Sequence, residues 1–285
     1  MKWQGRRGSR NIEDRRRMSV GKTAGVGGIG ALIIVLIGAF MGVDVSSLLN
    51  NPAMSGGQTQ TSASGEMTDA DKQAGKFVSV VLADTEDVWS NIFREQVGKP
   101  YHPVTLVLFK GATPSACGGA NGATGPFYCP GDEKVFLDTA FFTTLSRQMG
   151  AKGDFASAYV VAHEVAHHVQ DELGILSKAN RIRQQVSKEQ SNAISVRIEL
   201  QADCYSGIWA RHAKEQFGSV ERGDIAEAMN AAKQIGDDTL QRNAGQRVMP
   251  HTFTHGTSEQ RQRWFYTGYE SGDLATCDTF GTDNL

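Results

Sequence analysis

The chain has 285 residues, a formal net charge of −2, 40% apolar residues and seven prolines. Those figures exclude a collagen-like chain, a wholly disordered one and a small disulfide-stapled miniprotein. The mean hydropathy of −0.34 is that of an ordinary soluble protein, but the averages conceal two opposed segments.

Residues 1–22 carry eight Lys and Arg against Glu13 and Asp14, a surplus of six that leaves the other 263 residues net −8. From Ala24 to Val43 come 20 residues without a charge, Asn, Gln or Pro. As a helix rising about 1.5 Å per residue, this run is roughly 30 Å long, the thickness of a bilayer's hydrocarbon core. It is apolar all round, whereas a core helix of that length is usually amphipathic. The pattern predicts a basic cytoplasmic arm over 1–22 and a single-pass transmembrane helix over 23–43. The N-terminus would be cytoplasmic and the rest periplasmic, at a bacterial inner membrane. A cleaved signal peptide fits less well, because its apolar region is nearer 7–15 residues. Gly38 and Gly42 form a GxxxG pair on which a second copy would pack, giving a homodimer through the span. Residues 44–67, dominated by Ser, Gly, Gln and Thr, predict a flexible linker. That leaves 68–285 as one folded domain.

Within that domain the spacing of Phe77, Val80, Val81 and Trp89 predicts a helix over about 69–97, followed by a strand at 103–109. FYC and KVFLD form a predicted hairpin around Pro130–Glu133. A short helix at 139–149, a second carrying residues 155–173, a polar connecting helix, one over 194–210 and two more complete an α+β domain, mostly helical with a small mixed sheet. Cys117 and Cys129 bracket a Gly-rich loop and predict a disulfide made in an oxidising compartment. Cys204 and Cys277 are left as a second pair by parity alone. No CxxC is present, so a structural zinc knuckle is disfavoured.

Residues 155–173, FASAYVVAHEVAHHVQDEL, contain His163-Glu164-Val165-Ala166-His167. Two histidines four apart share a helix face and can hold one zinc ion, with Glu164 beside them as a base for a bound water. Ala158, Ala162, Val165, Val169 and Leu173 form an apolar ridge on the other side. A catalytic zinc site takes three protein ligands and leaves a fourth position open. The HExxHxxGxxH completion fails, because Gln170 and Leu173 stand where Gly and His are needed. Residues 194–210, ISVRIELQADCYSGIWA, supply Glu199 and Asp203 on one face of an otherwise apolar helix. An unpaired buried carboxylate is costly, and metal ligation by Glu199 removes that cost. Asp203 is then placed to orient a histidine ligand through its second ring nitrogen. His168 projects away from the pair and is a packing residue. Of His251 and His255, in a loop before a helix that Thr257 and Gln260 would open with a capping box, His255 is the candidate to stabilise an oxyanion.

HEVAH followed by ELQAD resembles the HExxH and ExxAD pair of gluzincin-type membrane proteases related to the CAAX-processing and HtpX-like enzymes. More closely, MKWQGRRGSRNIEDRRR, the apolar run, CGGANGATGPFYCPGDEKVFLD, HEVAHHVQ, ELQADCYSGIWA and FTHGTSEQRQRWFYTGYESGD together resemble the bacterial neutral zinc metallopeptidases. The resemblance spans nearly the whole chain. It implies a zincin-like fold, one zinc ion on His163, His167 and Glu199, and Glu164 as general base of a peptidase. In zincin-like arrangements a sheet edge lies above the metal, and FYC or VFLD would bind an extended peptide or protein substrate there. The competing functions are a membrane-tethered, zinc-stabilised peptide-binding or chaperone module without turnover, and a hydrolase of another amide such as a cell-wall peptide. A nucleic-acid partner is not expected, because the basic patch abuts the apolar run and the rest is acidic.

Overall fold

The computed structural model describes residues 1–17, 67–121 and 124–285. The predicted span over 23–43, its GxxxG pair and all but the last residue of the predicted linker lie outside the described residues. Among the described residues, no helix is long and apolar enough to cross a membrane.

The strands are β1 (Ile12–Asp14), β2 (Thr105–Phe109), β3 (Ala112–Ser115), β4 (Gly118–Asn121), β5 (Phe127–Cys129) and β6 (Lys134–Asp138). The helices are α1 (Asp69–Ile92), α2 (Ala140–Arg147), α3 (Asp154–Glu172), α4 (Ile175–Arg183), α5 (Lys188–Phe217), α6 (Asp224–Gln234), α7 (Asp237–Asn243) and α8 (Ser258–Ser271). The fold is therefore α+β and mostly helical, with a small mixed sheet. The helix predicted to reach 97 does so through a π-helical turn, Phe93–Val97. The chain beyond α5 holds three α-helices where two were predicted, because the short α7 has too few residues to show a period.

The main sheet has the order β1-β2-β6-β5, with β1, β2 and β6 parallel and β5 antiparallel to β6. Alternation sorts its side chains. Leu106, Leu108, Val135 and Leu137 face the main core, while Val107, Phe109 and Phe136 join Ala120 and Cys129 in a smaller cluster. A strand covered on both faces loses the polar half of its pattern, which explains the continuous apolar runs of β2 and β6. Of the two candidate edges, FYC is the free edge beside β6, and VFLD lies inside the sheet between β2 and β5.

Residues 1–17 do not form the separate arm that their charge predicts. β1 pairs with β2 from Ile12↔Leu106 to Asp14↔Leu108, and the residues before it run along α1. Arg6 pairs with the buried Asp84, Arg7 with Glu86 and Asp87 at 3.3 and 2.8 Å, and Trp3 packs edge-on against Phe77. The folded unit thus includes the first 17 residues as well as 67–285. A basic run resembles a solvated tail in sequence because its acidic partners lie about 80 positions away.

The helical layer is built around α3, which packs against α1, α5 and α6. Phe155 of α3 stacks on Trp209 of α5, and Tyr159 meets Phe265 of α8 edge-on. Helices α5 and α8 cross closely because each carries a glycine at the contact. A Cβ at Gly207 would overlap the Phe265 carbonyl oxygen, and one at Gly268 would overlap that of Cys204. Cys204 is disulfide-bonded to Cys277 just after α8, and Cys117 to Cys129 across the hairpin loop. Capping boxes start α1 (Thr68 and Asp71), α5 (Ser187 and Gln190) and α8 (Thr257 and Gln260); the last is the one predicted.

Candidate metal centre

Helix α3 carries His163, Glu164 and His167, and α5 carries Glu199. The ligand-capable atoms of His163, His167 and Glu199 all lie within 4.8 Å of one another. His163 Nε2 is 3.0 Å from Glu199 Oε2, and His167 Nε2 is 3.5 Å from Glu199 Oε1. Donors about 2.0–2.1 Å from a tetrahedral zinc stand about 3.3 Å apart. The observed pair brackets that value. Two imidazoles and one carboxylate are also the donor set of known catalytic zinc sites, so the residues fit the ion.

Each histidine has a second contact that fixes its ring. His163 Nδ1 lies 3.0 Å from Asp203 Oδ1, off the axis of a full hydrogen bond. His167 Nδ1 lies 2.9 Å from Gln170 Oε1, and Gln170 in turn donates to the Ile198 carbonyl at 2.8 Å and to Gln201 at 3.0 Å. Both Nε2 atoms are thereby aimed at Glu199. The charges are arranged to match. Burial alone would push the His163 imidazole down, but Asp203 and Glu199 outweigh it and lift it to about 10. Burial likewise opposes the charged Glu199, yet His255, His167 and His163 hold its carboxyl well below the usual range.

The family described as "Putative neutral zinc metallopeptidase" matches residues 1–280. The chain belongs to that family. It is 46% identical over 290 residues to "Uncharacterized protein YpfJ" of Escherichia coli strain K12, covering 99% of each chain. It is 44% identical over 188 residues to "Uncharacterized protein Rv2575" of Mycobacterium tuberculosis strain H37Rv, covering 62% of each. No solved structure matches it. Members of this zinc metallopeptidase family are named for the ion that the two helices fit.

In this family member the predicted residues fall into two groups. His163, Glu164, His167, Glu199 and His255 all line one cavity of about 930 Å³. The Glu164 carboxylate accepts no hydrogen bond from the described residues, and burial pushes its carboxyl up, partly offset by His163 and His167. His255 is held at the cavity wall by Asp237. One oxygen of Asp237 accepts the backbone N–H of Thr254, His255 and Gly256 at 2.8, 2.7 and 3.0 Å. His251 is exposed on a short 3-10 turn. His168 is buried in packing, with Nδ1 3.2 Å from the Tyr128 hydroxyl and Nε2 2.7 Å from the His102 carbonyl.

Three residues that the spacing did not single out complete the site. Asp203 is fully buried and held by Arg261, whose Nε and Nη2 donate to its two oxygens at 2.8 and 3.0 Å. The Tyr159 hydroxyl donates to Asp203 as well. Gln170 is the third. Sequence did carry a signal for Arg261: it lies three, four and seven positions before Trp264, Phe265 and Gly268, on the stripe that α8 buries. An arginine on such a stripe requires a buried carboxylate.

Proposed function

We propose that this protein is a zinc-dependent peptidase with His163, His167 and Glu199 as the ligands and Glu164 as the general base. The observation that carries the reading is the pairing of a complete His₂Glu donor set with a buried carboxylate, Glu164, that no described residue occupies. A structural zinc site has no use for such a group, which argues against a binding module without turnover. Zinc held there supplies Lewis-acid polarisation of the scissile carbonyl and lowers the pKa of a water. Glu164, whose carboxyl burial pushes up, takes the proton from the attacking water and hands it to the leaving amine. His255, at the wall of the same cavity, donates to the oxygen on which charge develops. Asp203 and Gln170 hold the two imidazoles in the tautomer that leaves Nε2 for the ion.

The substrate class we infer is an extended peptide segment. Phe127 and Tyr128 of β5 line the cavity, and β5 is a free sheet edge, so backbone groups of a substrate can pair with it as an added strand. The apolar run Ala24–Val43 would attach the enzyme to a membrane on its length and composition alone. The test is Glu164→Gln in purified full-length protein. The variant is expected to keep one zinc per chain and lose at least 100-fold of a chelator-sensitive peptide cleavage. Cleavage at the wild-type rate would refute the assignment.

A further inference from the structure

Arg16 and the start of α1, which flank residues 18–66 in sequence, lie together. The Arg16 guanidinium donates to the Asp71 carbonyl in the first turn of α1 and sits where a Cβ on Gly75 would be. Upstream, the first 17 residues are bonded to the domain throughout. The Met1 amino group is 2.6 Å from Asp154 of α3 and 3.3 Å from Asp224 of α6. Lys2 N–H donates to the Ser219 carbonyl and Ser9 N–H to that of Ser79, both at 2.8 Å. Leu106 N–H donates to Asn11 at 2.8 Å and Arg15 N–H to Leu108 at 2.7 Å, joining β1 and β2.

A run of 20 apolar residues crosses a bilayer once. One crossing would put β1 and β2 on opposite faces and sever every one of these bonds. A return crossing would have to use Asp44–Glu66, which is polar and contains Asn50, Asn51, Gln58 and Gln60. Such a sequence does not span hydrocarbon. Part of the charge that argued for a cytoplasmic arm is used in the fold. Arg15 and Arg16 pair with Glu13 and Asp14 of the same segment, and two charges of its surplus, Arg6 and Arg7, are paired with Asp84, Glu86 and Asp87 of α1, so that part of the basic charge serves the fold.

Resting on the reading of Ala24–Val43 as membrane-inserted, we infer that the N-terminal strand and the metallopeptidase domain lie on the same side of the membrane.

The experiment uses the full-length chain in bacterial cells. The described residues contain no free cysteine, so Gln4→Cys and Lys99→Cys, both at exposed positions, can each be labelled with a membrane-impermeant maleimide before and after the inner membrane is broken. Matching behaviour of the two sites upholds the inference; labelling of one without the other overturns it. A second variant, Gly8→Cys with Ser79→Cys, tests the packing itself. A Cβ on Gly8 would lie 3.5 Å from Ser79 Cβ, within disulfide range. Cross-linking under copper phenanthroline in isolated membranes upholds the inference, and two reactive but uncrosslinked thiols overturn it. Recovery of the chain wholly in the soluble fraction overturns it through the membrane reading, and the cross-link then reports separately whether the arm packs. Neither assay depends on zinc or on turnover, so failure of the peptidase reading would be seen elsewhere.

Discussion

Arg261→Met removes the guanidinium that pairs with Asp203 and leaves every proposed metal ligand in place. In the wild-type protein Asp203 is fully buried; burial opposes its charge, and Arg261 and His163 hold its carboxyl below the usual range. Arg261 is itself 1% exposed. Taking one partner from a buried ion pair costs about 3–5 kcal/mol, because the other charge stays buried. For a domain of this size each kcal/mol moves Tm by roughly 2–4 °C, so metal-free Arg261→Met should melt about 10 °C below metal-free wild type. Asp203 would then favour its protonated form and become a poor acceptor for His163 Nδ1, which should weaken zinc binding by about 10–100-fold.

The two effects separate in a double variant. Arg261→Met with Asp203→Leu replaces the pair by apolar groups, a change that is often neutral or stabilising. Its melting temperature should return close to wild type while zinc affinity stays low, because His163 still lacks its acceptor. Thermal denaturation followed by circular dichroism in excess chelator gives the first quantity, and competition with a chromophoric chelator the second. If Arg261→Met melted within about 1 °C of wild type and bound zinc equally well, the pair would not organise the site and the reasoning would fail.

Three further outcomes are expected. His255→Ala should keep zinc and lower kcat by about 10²–10³ with little change in KM, as removal of an oxyanion donor does; an unchanged kcat in steady-state peptide cleavage would assign His255 to structure. Zinc affinity should rise at least tenfold per pH unit between pH 6 and 8: the metal-free His163 imidazole, lifted to about 10, is protonated throughout that window and must lose its proton to bind, so a flat profile by competition titration would contradict the charge arrangement. The Cys204–Cys277 bridge spans 73 residues and Cys117–Cys129 spans 12. By loop closure they contribute about 4 and about 3 kcal/mol, so Cys204→Ser with Cys277→Ser should lower Tm more than the other double serine variant.

The cluster of His163, His167 and Glu199 was legible because its information is local. His163 and His167 share a face by helical period alone, and Glu199 stood out as a carboxylate on an apolar helix. The hairpin of β5 and β6 was legible for the same reason, through a turn signal between two apolar runs. The partners of the first 17 residues were not, since β1 is three residues long and its parallel neighbour begins more than 90 positions later. Parallel pairing leaves no turn between the strands to announce it. The edge strand was half legible: the pattern narrowed the edge to FYC or VFLD, but only the order of the sheet places β6 inside.

Asp84, Asp203 and Glu199 pose the same problem in sequence, a carboxylate among residues that helices bury. Their partners distinguish them. Asp84 meets Arg6 and Asp203 meets Arg261, and a guanidinium keeps its proton at any pH a protein survives and offers no lone pair. The guanidinium in each pairing is a fixed charge whose consequence is position: one fastens the N-terminal segment to α1, the other fixes the acceptor beside His163. Glu199 meets two imidazoles instead. An imidazole can give up its proton and present a lone pair, so the same electrostatic pairing that stabilises the metal-free site can be exchanged for a cation. The proposed chemistry therefore follows from which base faces each buried acid, and His163, touching both Glu199 and Asp203, is the residue through which the Arg261 pair acts on the exchangeable one.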